Sequence, residues 1–130
     1  MEISTEENFY SAFEWFYEDL NALRHEPVEA CALEGNYNVA HELWYLIPYD
    51  CFLDNSLGLF TPEQLELLAD LFAEVRAIPP EARVWATSIE DSVNNMSHSA
   101  WSSARVKAQK LYICLAPIAV ACKAYLIKNA

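Results

Sequence analysis

Glycine is scarce in this chain, with Gly35 and Gly58 the two it carries. An all-β fold needs many residues that accept positive φ in tight turns, so the shortage argues for helices. No C-x-x-C occurs among Cys31, Cys51, Cys114 and Cys122, and their spacings match none of the usual zinc patterns. The N-terminus, M-E-I-S-T-E-E, has no apolar core of the kind an export signal needs. The chain is therefore expected in the cytoplasm, with reduced and mostly buried thiols.

Catalytic and cofactor signatures are missing as well. His41-Glu42 opens an H-E-x-x-H pattern, but Tyr45 stands where the second histidine should be. The residues three before His25, His41 and His98 are Ala22, Asn38 and Asn95, which removes the E-x-x-H of di-iron bundles. There is no G-x-S-x-G, P-loop or dinucleotide-binding glycine pattern. No catalytic residue, metal ligand or cofactor is assigned on this basis.

Charge is lopsided. All nineteen acids lie at or before Asp91, against Arg24, Arg76 and Arg83, so the first 91 residues carry −16. The last 39 carry Arg105, Lys107, Lys110, Lys123 and Lys128 and no acid, giving +5 and a total of −11. Direct binding to a nucleic-acid backbone is excluded for most of such a surface, whereas a basic protein would be drawn to it. The bland alternative is that acidity keeps a small protein soluble.

What the chain does have is apolar residues, 54% of the total, with four Trp, seven Tyr and six Phe. At 130 residues it reads as one all-α domain able to bury roughly 65–70% of its unfolded surface. The periodicity predicts a single-domain bundle of about five or six helices. A first helix runs from Ser4 or Thr5 to about Arg24, with Phe9, Ala12, Phe13, Phe16, Leu20 and Leu23 inward. Two turns follow Pro27 and break at Gly35-Asn36-Tyr37-Asn38. A helix from about Asn38 to Ile47 buries Val39, Leu43, Leu46 and Ile47 and ends at Pro48. Residues 49–59 read as a folded loop or short helix. A short helix from Ser88 to about Asn95 precedes a long apolar C-terminal helix, kinked at Pro117. The run from Leu111 to Ile127 is at the short limit for a membrane span and contains Pro117 and Lys123, so it reads as the central helix of a bundle.

Between Phe60 and Pro80 the punctuation is clearest. Thr61 is an N-cap, Gln64 completes a capping box, Pro62 suits the first turn, and Pro79-Pro80 stops the helix. Leu65, Leu68, Ala69, Phe72 and Val75 are expected on its apolar face. Glu63, Glu66, Asp70 and Glu74 line the opposite face as an acidic ridge. The first helix adds Glu14 and Glu18, and Trp15, Tyr45 and Tyr49 are aromatic anchors beside these acids. Arg105, Lys107 and Lys110 fall at helical spacings; phosphate binding is one reading, and pairing with acids of the first helices or forming a solvated helix face are two that cost less.

In size, acidity, aromatic content and want of catalytic motifs, the whole chain resembles the small immunity proteins that neutralise bacterial toxins. Partners of contact-dependent growth-inhibition toxins and of nuclease bacteriocins are of this kind. The resemblance implies a non-enzymatic inhibitor that covers the basic active site of a cognate toxin domain. It carries over no individual residue. Two other readings stand beside it: a small helical enzyme or ligand-binding module with a site at Cys51, His41 or His98, and an obligate subunit or homodimer that covers the apolar C-terminal helix.

Overall fold

Four side chains cap helix starts and fix where each helix begins. Thr5 accepts the Asn8 N–H at 3.1 Å, Ser88 that of Asp91 at 3.1 Å, and His98 Nδ1 that of Ala100 at 3.0 Å. The fourth, Thr61, takes part in a complete capping box: it accepts from the Gln64 N–H at 3.2 Å while Gln64 Oε1 accepts from the Thr61 N–H at 2.8 Å. The threonine and serine caps each stabilise their helix by about 1 kcal/mol.

The computed structural model describes residues 3–35 and 38–130, the side chains of 47 and 48 excepted. Seven α-helices lie among the described residues: α1 Glu6–Leu23, α2 Pro27–Glu34, α3 Val39–Trp44, α4 Pro62–Arg76, α5 Ile89–Met96, α6 Ser99–Cys114 and α7 Ala116–Lys128. Two 3₁₀ helices, Ile47–Asp54 and Pro80–Ala82, complete the set, and no strand is present among these residues. Gly35 ends α2 in the left-handed conformation at φ 72°, the role glycine fills without steric cost. The expected break over Asn36 and Tyr37, and the expected burial of Ile47, lie outside the described residues.

Core side chains from α1, α3, the longer 3₁₀ helix, α4 and α6 meet in one cluster. Phe9, Phe13, Phe16, Phe52, Phe60 and Phe72 make ring contacts with centroids 5.5–6.4 Å apart. Each well-placed pair adds about 0.5–1.5 kcal/mol beyond its area. Trp101 is fully buried and donates Nε1–H to the Ala82 carbonyl at 2.8 Å. α4 packs chiefly on α6, and α1 packs on α6, α7 and α2.

Several expectations are corrected. Among the described residues the helix count is seven, because the C-terminal segment is two helices; the segment expected from Asn38 to Ile47 stops at Trp44. The break there falls at Leu115, ahead of Pro117, and bends the pair by 60°. Pro117 has no N–H and its ring crowds the carbonyl four residues back, so the helix ends before it and restarts with proline in the first turn. On α4 the buried residues are Gln64, Leu68, Leu71, Phe72 and Val75; Ala69 is exposed and Leu71 takes its expected place.

The largest correction concerns the last helix. α7 is an edge helix: Ile118 and Cys122 are its buried residues, while Val120 and Ile127 are 71% and 69% exposed. No single helix among the described residues is long and apolar enough to cross a membrane, and α6 with α7 reaches that length only across the bend.

Candidate functional site

Burial of Leu68, Leu71, Phe72 and Val75 turns the acids of α4 outward, and α6 packs alongside. Gln64 is buried because its Nε2 also donates to the Cys114 carbonyl at the end of α6, at 3.1 Å. Further along, Lys107 of α6 donates to Asp70 Oδ1 at 3.0 Å and to Glu74 Oε2 at 3.1 Å. Hydrogen bonds from Ser103 and then Lys107 hold the Glu74 carboxyl below its ordinary value, and the hydrogen bonds to Asp70 and then Glu74 raise Lys107. The ridge is thus divided. Asp70 and Glu74 are tied to α6, whereas Glu63 and Glu66 stand exposed with no ion pair among the described residues.

Of the rest of the basic run, Arg105 serves the fold. It donates to the carbonyls of His25 at 2.8 Å and Met96 at 3.1 Å, joining three segments, whereas Lys110 is exposed. Arg76 at the end of α4 pairs with Asp50 of the 3₁₀ helix.

A second acidic surface is assembled from α1, α2 and α3. Glu14, Trp15 and Glu18 are exposed on α1, with Trp15 at 65%. Asp19, half-buried one residue on, is hydrogen-bonded to Glu34 at the C-terminal end of α2. Burial first, then mutual repulsion and the charges of Glu42 and Glu18, pushes Glu34 up to about 8; burial raises Asp19 to about 6. The contact lowers Asp19 and raises Glu34, so the two carboxyls titrate as a pair that shares a proton. Among the described residues no lysine or arginine forms an ion pair with Glu18, Asp19, Glu34 or Glu42. The macrodipole of α2 also disfavours a carboxylate at its C-terminal end.

Asp19, Glu34 and Glu42 were not singled out by the sequence. One signal was there to be read: an acid directly ahead of the helix-ending Gly35 stands where the dipole opposes it. The aromatic expectations divide. Tyr45 is 59% exposed and clusters with His41, Trp44 and Trp85, whose rings lie 5.9–6.4 Å apart. Trp85, 69% exposed, was missed because its loop carries no periodic signal. Tyr49 is half-buried, packed on Phe16 at 5.3 Å and Phe52 at 5.9 Å.

Comparison with protein-family models, with curated proteins and with solved structures finds no match for this chain. What it can do is therefore read from its own surface chemistry. Among the described residues no three His, Cys, Asp or Glu side chains are grouped to hold a metal. Burial raises the thiols of Cys51 and Cys114, and takes Cys122 to about 11, so these three are poorly ionised at neutral pH. His98 is occupied as the cap of α6, and His25 Nδ1 donates to the Asn21 carbonyl at 2.6 Å. The chemistry concentrated on the surface is acceptance of positive charge beside exposed aromatic rings.

Proposed function

We propose that this chain is a non-enzymatic binding protein of the cytoplasm that neutralises a basic protein partner, acting as an immunity protein over the active site of a nuclease toxin. One observation supports this above the others: Asp19 and Glu34 are brought together half-buried, beside Glu18 and Glu42, without a cation of their own. Folding alone gains nothing from such a cluster, because burial and repulsion both oppose ionisation. A guanidinium or ammonium group of a partner reverses the balance, releasing the shared proton and gaining two charge-assisted hydrogen bonds. A nuclease cleft shaped for phosphates carries such groups, and Trp15 and Tyr45 flank the acids as aromatic anchors. Glu63 and Glu66 extend the acidic field on the α4 side, with Asp70 and Glu74 partly neutralised by Lys107.

Basic proteins captured on the chain from the organism that carries it supply the partner for the test. The double variant Glu34→Lys, Glu42→Lys keeps its helicity, since a lysine beside Asp19 relieves repulsion. Its association with the partner slows by roughly tenfold or more at low salt. An unchanged association rate would remove the α1–α3 surface from the interface. In that case Glu63→Lys with Glu66→Lys asks the same of the exposed half of the ridge.

A further inference from the structure

A groove of about 540 Å³ runs between α1 and α7, floored by Phe13, Tyr17, Cys122 and Leu126. Its α1 bank carries Glu14 and Glu18, and its α7 bank carries Lys123 and the exposed Ile127. None of these three charged groups forms an ion pair among the described residues. Val120, one turn before Lys123, is exposed too. A helix that is apolar nearly all round is ordinarily covered, and α7 is covered by its own chain along a single stripe.

We infer that a second copy of this chain covers the groove, forming a twofold dimer in which Lys123 of each copy meets Glu14 and Glu18 of the other. A twofold interface must be complementary to itself, and a groove with acids on one bank and a lysine on the other meets that requirement. Other occupants fit less well. A basic segment is opposed by Lys123 and Lys128, and an acidic one by Glu14 and Glu18. Two molecules of net charge −11 repel over most of their surfaces, and Lys123 and Lys128 of α7, in the +5 segment, lessen that penalty at this face. α7 offers about 20 Å of length for the contact. Dimerisation and toxin inhibition share Glu18 but draw on different carboxyls otherwise. Asp19 and Glu34 lie on the side of α1 that faces α2, away from the groove, and remain open in the dimer.

Sedimentation across micromolar to sub-millimolar concentration, with circular dichroism as the control for folding, provides the test. The wild-type chain is expected to dimerise reversibly. Lys123→Glu and the double variant Glu14→Lys, Glu18→Lys each weaken self-association by roughly tenfold or more, since like charges then face each other twice. All three positions are exposed, so helicity is retained. Mixing the two variants in equal amounts restores dimer, because both contacts of the mixed pair are again Lys against Glu. A monomeric wild type, a dimer indifferent to either variant, or a mixture that stays monomeric overturns the inference. These outcomes leave the partner-binding test untouched, since that test alters Glu34 and Glu42.

Discussion

Asp19 and Glu34 titrate in a range where most carboxylates have long been ionised. Their folded values, about 6 and about 8, lie above the ordinary 3.8 and 4.5. The folded chain therefore holds more protons than the unfolded chain between about pH 4 and about pH 8, and the pair's contribution to stability falls as pH rises through that window. Glu34→Gln, which keeps a hydrogen-bond donor and removes the charge, is predicted to raise Tm at about pH 8 and leave it little changed near pH 5. The gain is on the order of 1 kcal/mol after allowance for solvent screening of half-exposed groups. Thermal melts at the two pH values check this, and an equal effect at both would show that the pair does not share its proton as described. Glu74 runs the other way: its lowered value gives stability that is lost as pH falls through it. Replacing Lys107 with Met is predicted to move Glu74 part of the way back up in a carboxyl NMR titration, the hydrogen bond from Ser103 keeping the remainder. Glu34 was legible as an oddity of position, but its partner was not. Asp19 is one of nineteen acids, and only the α1–α2 packing selects it.

At the scale of elements, whatever was encoded locally could be read. The capping box of α4, the proline at its start and the Ser88 cap of α5 are where side-chain chemistry put them. Thr61→Ala is predicted to destabilise the fold by about 1 kcal/mol by leaving the Gln64 N–H without its partner, measurable by urea denaturation at unchanged m-value. A loss near zero would mean that water replaces the cap. The place of α7 was not legible, because an apolar helix has the same periodicity at the centre of a bundle and at its edge. Pro117 marked the discontinuity in the C-terminal segment, but the break settled at Leu115, where the chain can turn before meeting the proline ring. The exposed half of the α4 ridge was legible from spacing. Its pinned half depended on Lys107 arriving from 33 to 37 residues away.

Over the whole molecule, the segregation of charge is the organising fact. Acids dominate the first 91 residues, and the basic tail compensates them locally through Lys107, which pairs with Asp70 and Glu74 of α4. The α1–α3 surface receives no such compensation among the described residues, and it is there that the carboxyl pair and the exposed Trp15 stand together. The most direct measurement of the inhibitor proposal is a titration of the captured basic partner's nuclease activity with this chain. Cleavage of nucleic acid is predicted to fall linearly to nothing at one chain per toxin domain, with the Glu34→Lys, Glu42→Lys variant shifting the curve to higher concentration. A partner without nuclease activity, or one that cleaves undiminished with the chain in excess, would contradict the account.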